Sequence, residues 1–415
     1  MELYYSFSVL IVLAAFFAYI NHRFIKLPST IGIMLMAILA SIILRVAGHN
    51  IFPETTNYLI AIIAEFDFTE VLMGAMLNFL LFAGAIHVNI GDLREQKLPV
   101  LSFSTISVII SAFVIATLVF YAAPIVGINL PFIYCLLFGA LISPTDPIAV
   151  LGILKKANVP KSLETKIAGE SLFNDGVAVV LFSVILQLAQ SNTTDVSFSS
   201  ISILLLREAV GGIAVGILLG YSASKAIKGI DDYIVSVLIT LSVVMGGYLI
   251  AKATHISGPL TMVAAGLFIG NYSKKSAMSA VTKDYLNKFW ELCDEILNAI
   301  LFLYIGFELL LIPDLTEYWK VSGMAIIIVL FARLVSIWVP SLIVPFKPKL
   351  SKGSLIMLVW GGLRGGVSIA LVLSVTNPEY KVLLWEMTYF VVLFSIIVQG
   401  LTISNLARRV LKTDL

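Results

Sequence analysis

Long apolar runs alternate with short polar interruptions along almost the whole chain. A membrane-spanning helix needs roughly 20 predominantly apolar residues. Measured against that length, the pattern predicts thirteen spans, near 3–20, 30–47, 71–90, 100–123, 131–154, 162–190, 198–224, 233–251, 257–271, 285–312, 321–345, 353–376 and 383–407. The first run has no basic segment ahead of it and is followed by Arg23 and Lys26, so an uncleaved span is expected rather than a signal peptide. The interruptions leave no room for a soluble domain. The expectation is an all-α polytopic membrane protein, one membrane domain over 1–415 with no soluble regulatory domain.

Composition agrees. Of 415 residues 59% are hydrophobic and 13% charged, about half the roughly 25% charged of soluble domains. A soluble fold of this size would lack polar groups to cover its surface. The formal net charge of +2 leaves no electrostatic footprint for nucleic acid. Cys135 and Cys293, the only cysteines, lie in apolar stretches, which rules out a disulfide scaffold and a cysteine-ligated metal.

The basic residues set the orientation. Of the 27 Lys and Arg residues, twenty fall in alternate loops and the tail. Arg45, Arg207, Lys252, Lys320 and Lys381 fall on the other side, and Arg333 and Arg364 lie inside spans. The positive-inside rule then places the N-terminus outside and the C-terminus in the cytoplasm.

Ionisable and helix-breaking residues within spans are the candidate chemistry, because charge at membrane depth is costly. Ser143-Pro144-Thr145-Asp146-Pro147 interrupts the fifth span. Two prolines remove amide donors and disfavour helix before them, and Asp-Pro is a helix start signal. The fifth helix should stop, unwind and restart, with Asp146 at the positive end of its second half; the alternative is a plain proline kink. Gly361-Gly362-Leu363-Arg364-Gly365-Gly366 interrupts the twelfth span. Close packing at small residues would explain the glycines but not Arg364, which cannot lose its charge. If spans 1–6 and 8–13 are inverted repeats about span 7, both breaks fall in the fifth member of each. Such matching breaks point to a transporter's substrate site.

The sixth span carries Gly169-Glu170-Ser171-Leu172-Phe173-Asn174-Asp175-Gly176. Glu170 and Asn174 share one helix face, Ser171 and Asp175 the next. Oxygen ligands of this kind suit a hard cation, and Asp175 can also hold a proton. A polar cluster joining helices would need fewer such residues. Arg333, deep in the eleventh span, requires a carboxylate or carbonyl ends beside it.

Ser143–Pro147, Gly169–Gly176, Arg333 with Leu334-Val335-Ser336, and Trp360–Ala370 (WGGLRGGVSIA) resemble, in order and position, the signature set of sodium/proton exchangers of the monovalent cation/proton antiporter superfamily. The resemblance is to the asparagine–aspartate branch and its short prokaryotic NhaP-type members. It implies thirteen spans, two inverted six-helix repeats, crossed and unwound fifth and twelfth helices, and a homodimer in the lipid bilayer of a prokaryotic cell membrane. It implies a mobile core, roughly 100–190 and 321–407, and a dimerisation part, roughly 1–90 and 198–312.

By the same resemblance Asp175 is the cation- and proton-binding aspartate, and Asn174 a structural residue that also bears on exchange type. Ser171 and the Thr145 backbone are further ion ligands, and Glu170 pairs with Arg364. Asp146 is the aspartate at the helix crossing and Arg333 the arginine of the eleventh helix. One departure is that Ala83, in Leu81-Phe82-Ala83-Gly84-Ala85, stands where many members carry an acid. His87, one turn on, reads as structural.

Other classes fit less well. Asp146 and Asp175 could form an intramembrane aspartic-protease dyad, but Asn174 precedes Asp175 and buried arginines would suppress the shared proton. There is no Gly-x-Ser-x-Gly, and all four histidines fall at span ends or in loops. A proton-translocating subunit of a larger complex is a third reading. The function expected is a secondary antiporter, not an enzyme, with no cofactor. It would exchange cytoplasmic Na⁺ or Li⁺ for external H⁺ electroneutrally, with a K⁺/H⁺ antiporter of the same fold as the alternative.

Overall fold

The computed structural model describes residues 2–48, 71–146, 150–151, 161–190, 198–273, 278–312, 317–344, 346 and 351–410. Pro147 and most of the expected second half of the fifth span lie outside the described residues. Within them the chain is all-helical, with a single isolated β-bridge. The main helices are α1 Glu2–Ile20, α2 Ser29–Ile43, α3 Leu77–His87, α4 Ser107–Ala122, α5 Phe132–Ile142, α6 Lys161–Gln190, α7 Phe198–Lys228 and α8 Tyr233–Thr254. They continue as α9 Gly258–Phe268, α10 Ala280–Leu311, α11 Trp319–Ile343, α12 Lys352–Trp360, α13 Gly366–Leu373, α14 Pro378–Phe394 and α15 Gly400–Val410.

Local chemistry starts several of these helices. Asp232 accepts hydrogen bonds from the Ile234 and Val235 amides at the head of α8, Ser257 from Leu260 on α9, and Asn377 from Glu379 on α14. Such caps satisfy amides that have no partner inside the helix. Eight helical stretches among the described residues are long and apolar enough to cross a membrane. Phe132–Ile142 is apolar but short, because α5 ends where the first proline approaches. At 32 residues α10 is long enough, but it carries Asp294 and Glu295 at its middle and Glu308 near its end.

The helices pack in two sets. In one, α7 lies on α9, α9 on α3 and α2 on α10. In the other, α5 lies on α4, α4 on α11, α11 on α14 and α5 on α6. The sets meet where α6 packs against α7 and α9, and where α10 reaches α13. That seam contains both helix breaks and the acids of α6.

Candidate ion-binding site

The two breaks touch. α5 ends at Ile142 and α12 at Trp360, and an isolated antiparallel bridge joins Asp146 to Leu363. The Asp146 amide donates to the Leu363 carbonyl at 2.8 Å. Unwound backbone in a bilayer must find partners inside the protein, and here each loose end finds one. The Arg364 amide donates to Ser395 Oγ at 2.9 Å, and Gln399 Nε2 donates to the Trp360 carbonyl at 3.1 Å. Ser395 and Gln399 also bond each other at 2.8 Å. Neither stood out in the sequence, since a lone serine or glutamine in a span is chemically ordinary.

The glycines of the second break serve close approach. A Cβ on Gly362 would lie 2.9 Å from the Arg333 guanidinium carbon, and one on Gly365 would lie 2.6 Å from Asp146 Oδ2. Any side chain at either position would displace a charged group.

The arginines are not arranged as the resemblance implies. Glu170 pairs with Arg333, not Arg364: Arg333 Nη1 donates to Glu170 Oε1 at 2.6 Å. Both side chains are almost wholly buried. Arg333 also donates through Nη2 and Nε to the Leu358 carbonyl, at 2.9 and 3.3 Å, near the end of α12. Arg364 Nη1 donates to the Ser143 and Pro144 carbonyls, at 2.6 and 3.0 Å. Those carbonyls follow the last turn of α5, where a helix presents acceptors and negative partial charge. Each guanidinium thus closes one broken helix end. The pairing of Glu170 depended on the rotation of α11 about its axis, which residue spacing does not contain.

Asp146 lies at the opposite kind of end. Its carboxylate is against Gly365, the residue that precedes α13, where a helix presents positive partial charge. That effect reaches about 2 kcal/mol in partly buried settings, so Asp146→Asn should lose most exchange. Initial rates in proteoliposomes check this, and a variant as fast as wild type would mean that the charge is dispensable.

On α6, Ser171 and Asn174 bind the first break directly. Ser171 Oγ donates to the Thr145 carbonyl. Asn174 Nδ2 donates to Thr145 Oγ1 at 2.7 Å, and the Thr145 amide donates to Asn174 Oδ1 at 3.4 Å. All three are buried. Asp175, next along, is half-buried, and the Asp146 carboxylate lies within charge–charge range of it. The structure therefore gathers Thr145, Ser171, Asn174 and Asp175 at the crossing. Ala83 is fully buried on α3, and neighbouring Gly84 faces Leu172 of α6, so that stretch brings no carboxylate to the site.

On one side of the site, a cavity of about 710 Å³ is lined by residues including Gly258, Pro259, Lys252, Thr376 and Lys381. The next residue, Leu260, packs against Gly176 beside Asp175. Three further acids, none of them in a recognisable motif, lie on the seam or near it. Glu308 and Glu386 are fully buried, Glu308 beside Trp385 and Tyr304, and Asp294 is half-buried. Asp294, Asn298, Leu301 and Glu308 repeat at helical spacing on α10, a signal legible in retrospect. Among the described residues no three His, Cys, Asp or Glu side chains are grouped closely enough to hold a metal ion.

An all-helical membrane fold with two interrupted, bridged helices and oxygen-bearing side chains at the crossing defines a transporter class. The chain belongs to the sodium/hydrogen exchanger transmembrane family, whose model matches residues 11–409. It is 47% identical over 412 residues to the Na⁺/H⁺ antiporter NhaP of Pseudomonas aeruginosa, covering 97% of this chain and 96% of that protein. It is 34% identical to the Na⁺/H⁺ antiporter NhaH of Halobacillus dabanensis, covering 93% of each chain. Its fold is similar to that of the sodium proton antiporter MjNhaP1 of Methanocaldococcus jannaschii, with a TM-score of 0.79 and 22% identity over 99% of this chain and 100% of that one.

Proposed function

We propose that this protein is a secondary antiporter that exchanges cytoplasmic Na⁺ for external H⁺ across a prokaryotic cell membrane. The observation that carries the reading is the convergence of Ser171 and Asn174 with Thr145 at the bridge between the broken helices, with Asp175 as the adjacent carboxylate. Membership of the family and the names of its similar members support the choice of ions.

In this reading Asp175 holds either the cation or the proton. Ser171 Oγ and the Thr145 carbonyl are the neutral oxygens beside it. Asn174 spends both ends of its amide on Thr145, so its part is to keep that carbonyl in place. Asp146 offsets the positive end of α13, Arg364 the negative end of α5, and Arg333 with Glu170 ties α11 and α12 to α6.

The architecture belongs to the same proposal. The chain crosses the membrane thirteen times, with α12 and α13 as halves of one crossing and α5 as the first half of another. Spans 1–6 and 8–13 are inverted repeats. The set of helices around α5, α6, α11 and α14 is the mobile core, the set around α2, α3, α7, α9 and α10 is the dimerisation part, and two copies form a homodimer. The N-terminus is outside and the C-terminus cytoplasmic, by the excess of basic residues in alternate loops.

The charges at the crossing bear on stoichiometry. At the crossing itself Asp146, Glu170 and Asp175 oppose Arg333 and Arg364, leaving one spare negative charge there; the acids of α10 and α14 farther along the seam stand outside this count. One Na⁺ or one H⁺ neutralises it, so both loaded forms carry the same charge and exchange is one for one and electroneutral. Na⁺ and H⁺ then compete for Asp175, and apparent cation affinity weakens as the pH falls. The expected result is an exchange rate that ignores a potential clamped with valinomycin in proteoliposomes. A current on Na⁺ addition would refute the count. The function itself is tested by purified protein in liposomes with an imposed pH gradient and Na⁺, Li⁺ or K⁺ added in turn. Proton movement driven by Na⁺ and Li⁺ supports the reading, and movement with K⁺ alone would replace it with K⁺/H⁺ exchange.

A further inference from the structure

Asp294 and Asn298 lie one turn apart on α10, and Leu301 continues the same face. Leu301 packs on Gly366, the first residue of α13, and the preceding Gly365 lies against the Asp146 carboxylate. Asn298 is therefore one helical turn from the crossing.

The amide of Asn298 has only one workable orientation. Its Nδ2 donates to the Asp294 backbone carbonyl at 2.8 Å and to Asp294 Oδ1 at 3.1 Å. Both partners are acceptors, so the amide cannot be turned over without setting oxygen against oxygen. Its Oδ1 is then left with no hydrogen-bond partner, in a side chain only 1% exposed. A buried acceptor without a donor calls for an explanation, and a bound water or ion is one that fits an oxygen beside a carboxylate.

The charges around Asp294 point to the same ligand. Those within reach are Glu291, Glu295 and Asp146, all acidic. Glu291 and Glu295 are exposed on the same helix, while Asp146 is at the crossing. Asp146 is also within reach of Asp175. The acids thus run from an exposed stretch of α10, through half-buried Asp294, to Asp146 and Asp175. The Asp294 carboxylate, and Asn298 Oδ1 on the arm of the amide not bonded to it, are hard oxygen donors of the kind that suits an alkali cation; a divalent ion would ask for more carboxylates.

We propose that Asp294 and Asn298 form a second cation station, on the cytoplasmic approach to Asp175. It takes a Na⁺ from water before the ion reaches the crossing. The proposal rests on the antiporter reading above and adds a residue pair to its ion path. The orientation of α10 comes from that same reading, which puts its first turns on the cytoplasmic side.

The test is cation-dependent exchange by the full chain in proteoliposomes, with Na⁺ and Li⁺ varied on the side facing the cytoplasmic surface. Asp294→Asn should raise KM for both ions about tenfold, which corresponds to about 1.4 kcal/mol of lost binding, with the maximal rate unchanged. Asn298→Ala should raise KM by a smaller factor, and Asp294→Glu should restore most of the affinity. An unchanged KM in Asp294→Asn overturns the station. So does a lower maximal rate and lower melting temperature at constant KM, which would make Asp294 a packing residue only. Should Asp294→Asn fail to fold, Asn298→Ala decides, because it keeps the carboxylate; an unchanged KM there also overturns the proposal. Wild-type protein that exchanges no ions removes the antiporter reading, whereas active wild type with unaffected variants removes only the station.

Discussion

Asp175→Asn is expected to reduce cation-driven proton exchange to the background of protein-free liposomes while leaving the chain folded. The substitution keeps the shape of the side chain and removes its capacity to carry a proton or balance a cation. Asp175 is half-buried at the seam, next to Asn174, whose two bonds to Thr145 do not involve the carboxylate. Folding should therefore be insensitive to the change. Removing a charge that repels Asp146 should if anything relieve the site, because like charges in a poorly hydrated region oppose each other. The measurements are exchange followed by a trapped pH-sensitive dye, and melting temperature in detergent. Exchange near the wild-type rate would mean that another group carries the ion, and the mechanism built on Asp175 would fail.

Glu170→Ala should have the largest effect on stability. It leaves the Arg333 guanidinium, a side chain 7% exposed, with only the Leu358 carbonyl as a partner. Breaking a buried pair from one side costs about 3–5 kcal/mol. A loss of that size is a large part of the margin of an ordinary domain, about 5–15 kcal/mol. Lower melting temperature and poor yield are expected, more than a change in cation affinity. Replacing both partners, Glu170→Leu with Arg333→Met, should recover part of the loss, since no charge is then buried alone. Recovery stays incomplete because Arg333 also holds the Leu358 carbonyl near the end of α12. A stable Glu170→Ala protein altered only in its KM for Na⁺ would make Glu170 an ion ligand instead.

Arg364 meets a different fate. Without its side chain, the Ser143 and Pro144 carbonyls beyond α5 lose their charged donor, and the geometry of the crossing suffers before any ion pair does. Arginines that looked equivalent as buried charges thus do different work: one ties helices together through a carboxylate, the other closes a helix end.

The membrane class, the approximate positions of the apolar helices, the two breaks and the oxygen cluster of α6 were legible in the sequence because each rests on local chemistry. Apolar length decides what can cross a bilayer, proline and clustered glycine decide where a helix cannot continue, and four-residue spacing puts side chains on one face. Asp146, Asp175 and Arg364 were visible as candidates because an ionisable residue in an apolar run is costly wherever the run goes. What the tertiary structure alone decided is partnership. Glu170 meets Arg333 rather than Arg364, Ser395 and Gln399 satisfy the second break, and Leu301, on the face of α10 that carries Asp294 and Asn298, packs on Gly366. Each of these depends on the rotation and depth of one helix against another. Successive residues on a helix differ by about 100° in direction, so a small rotation or shift in packing changes which side chains meet, while the pattern along each helix stays the same.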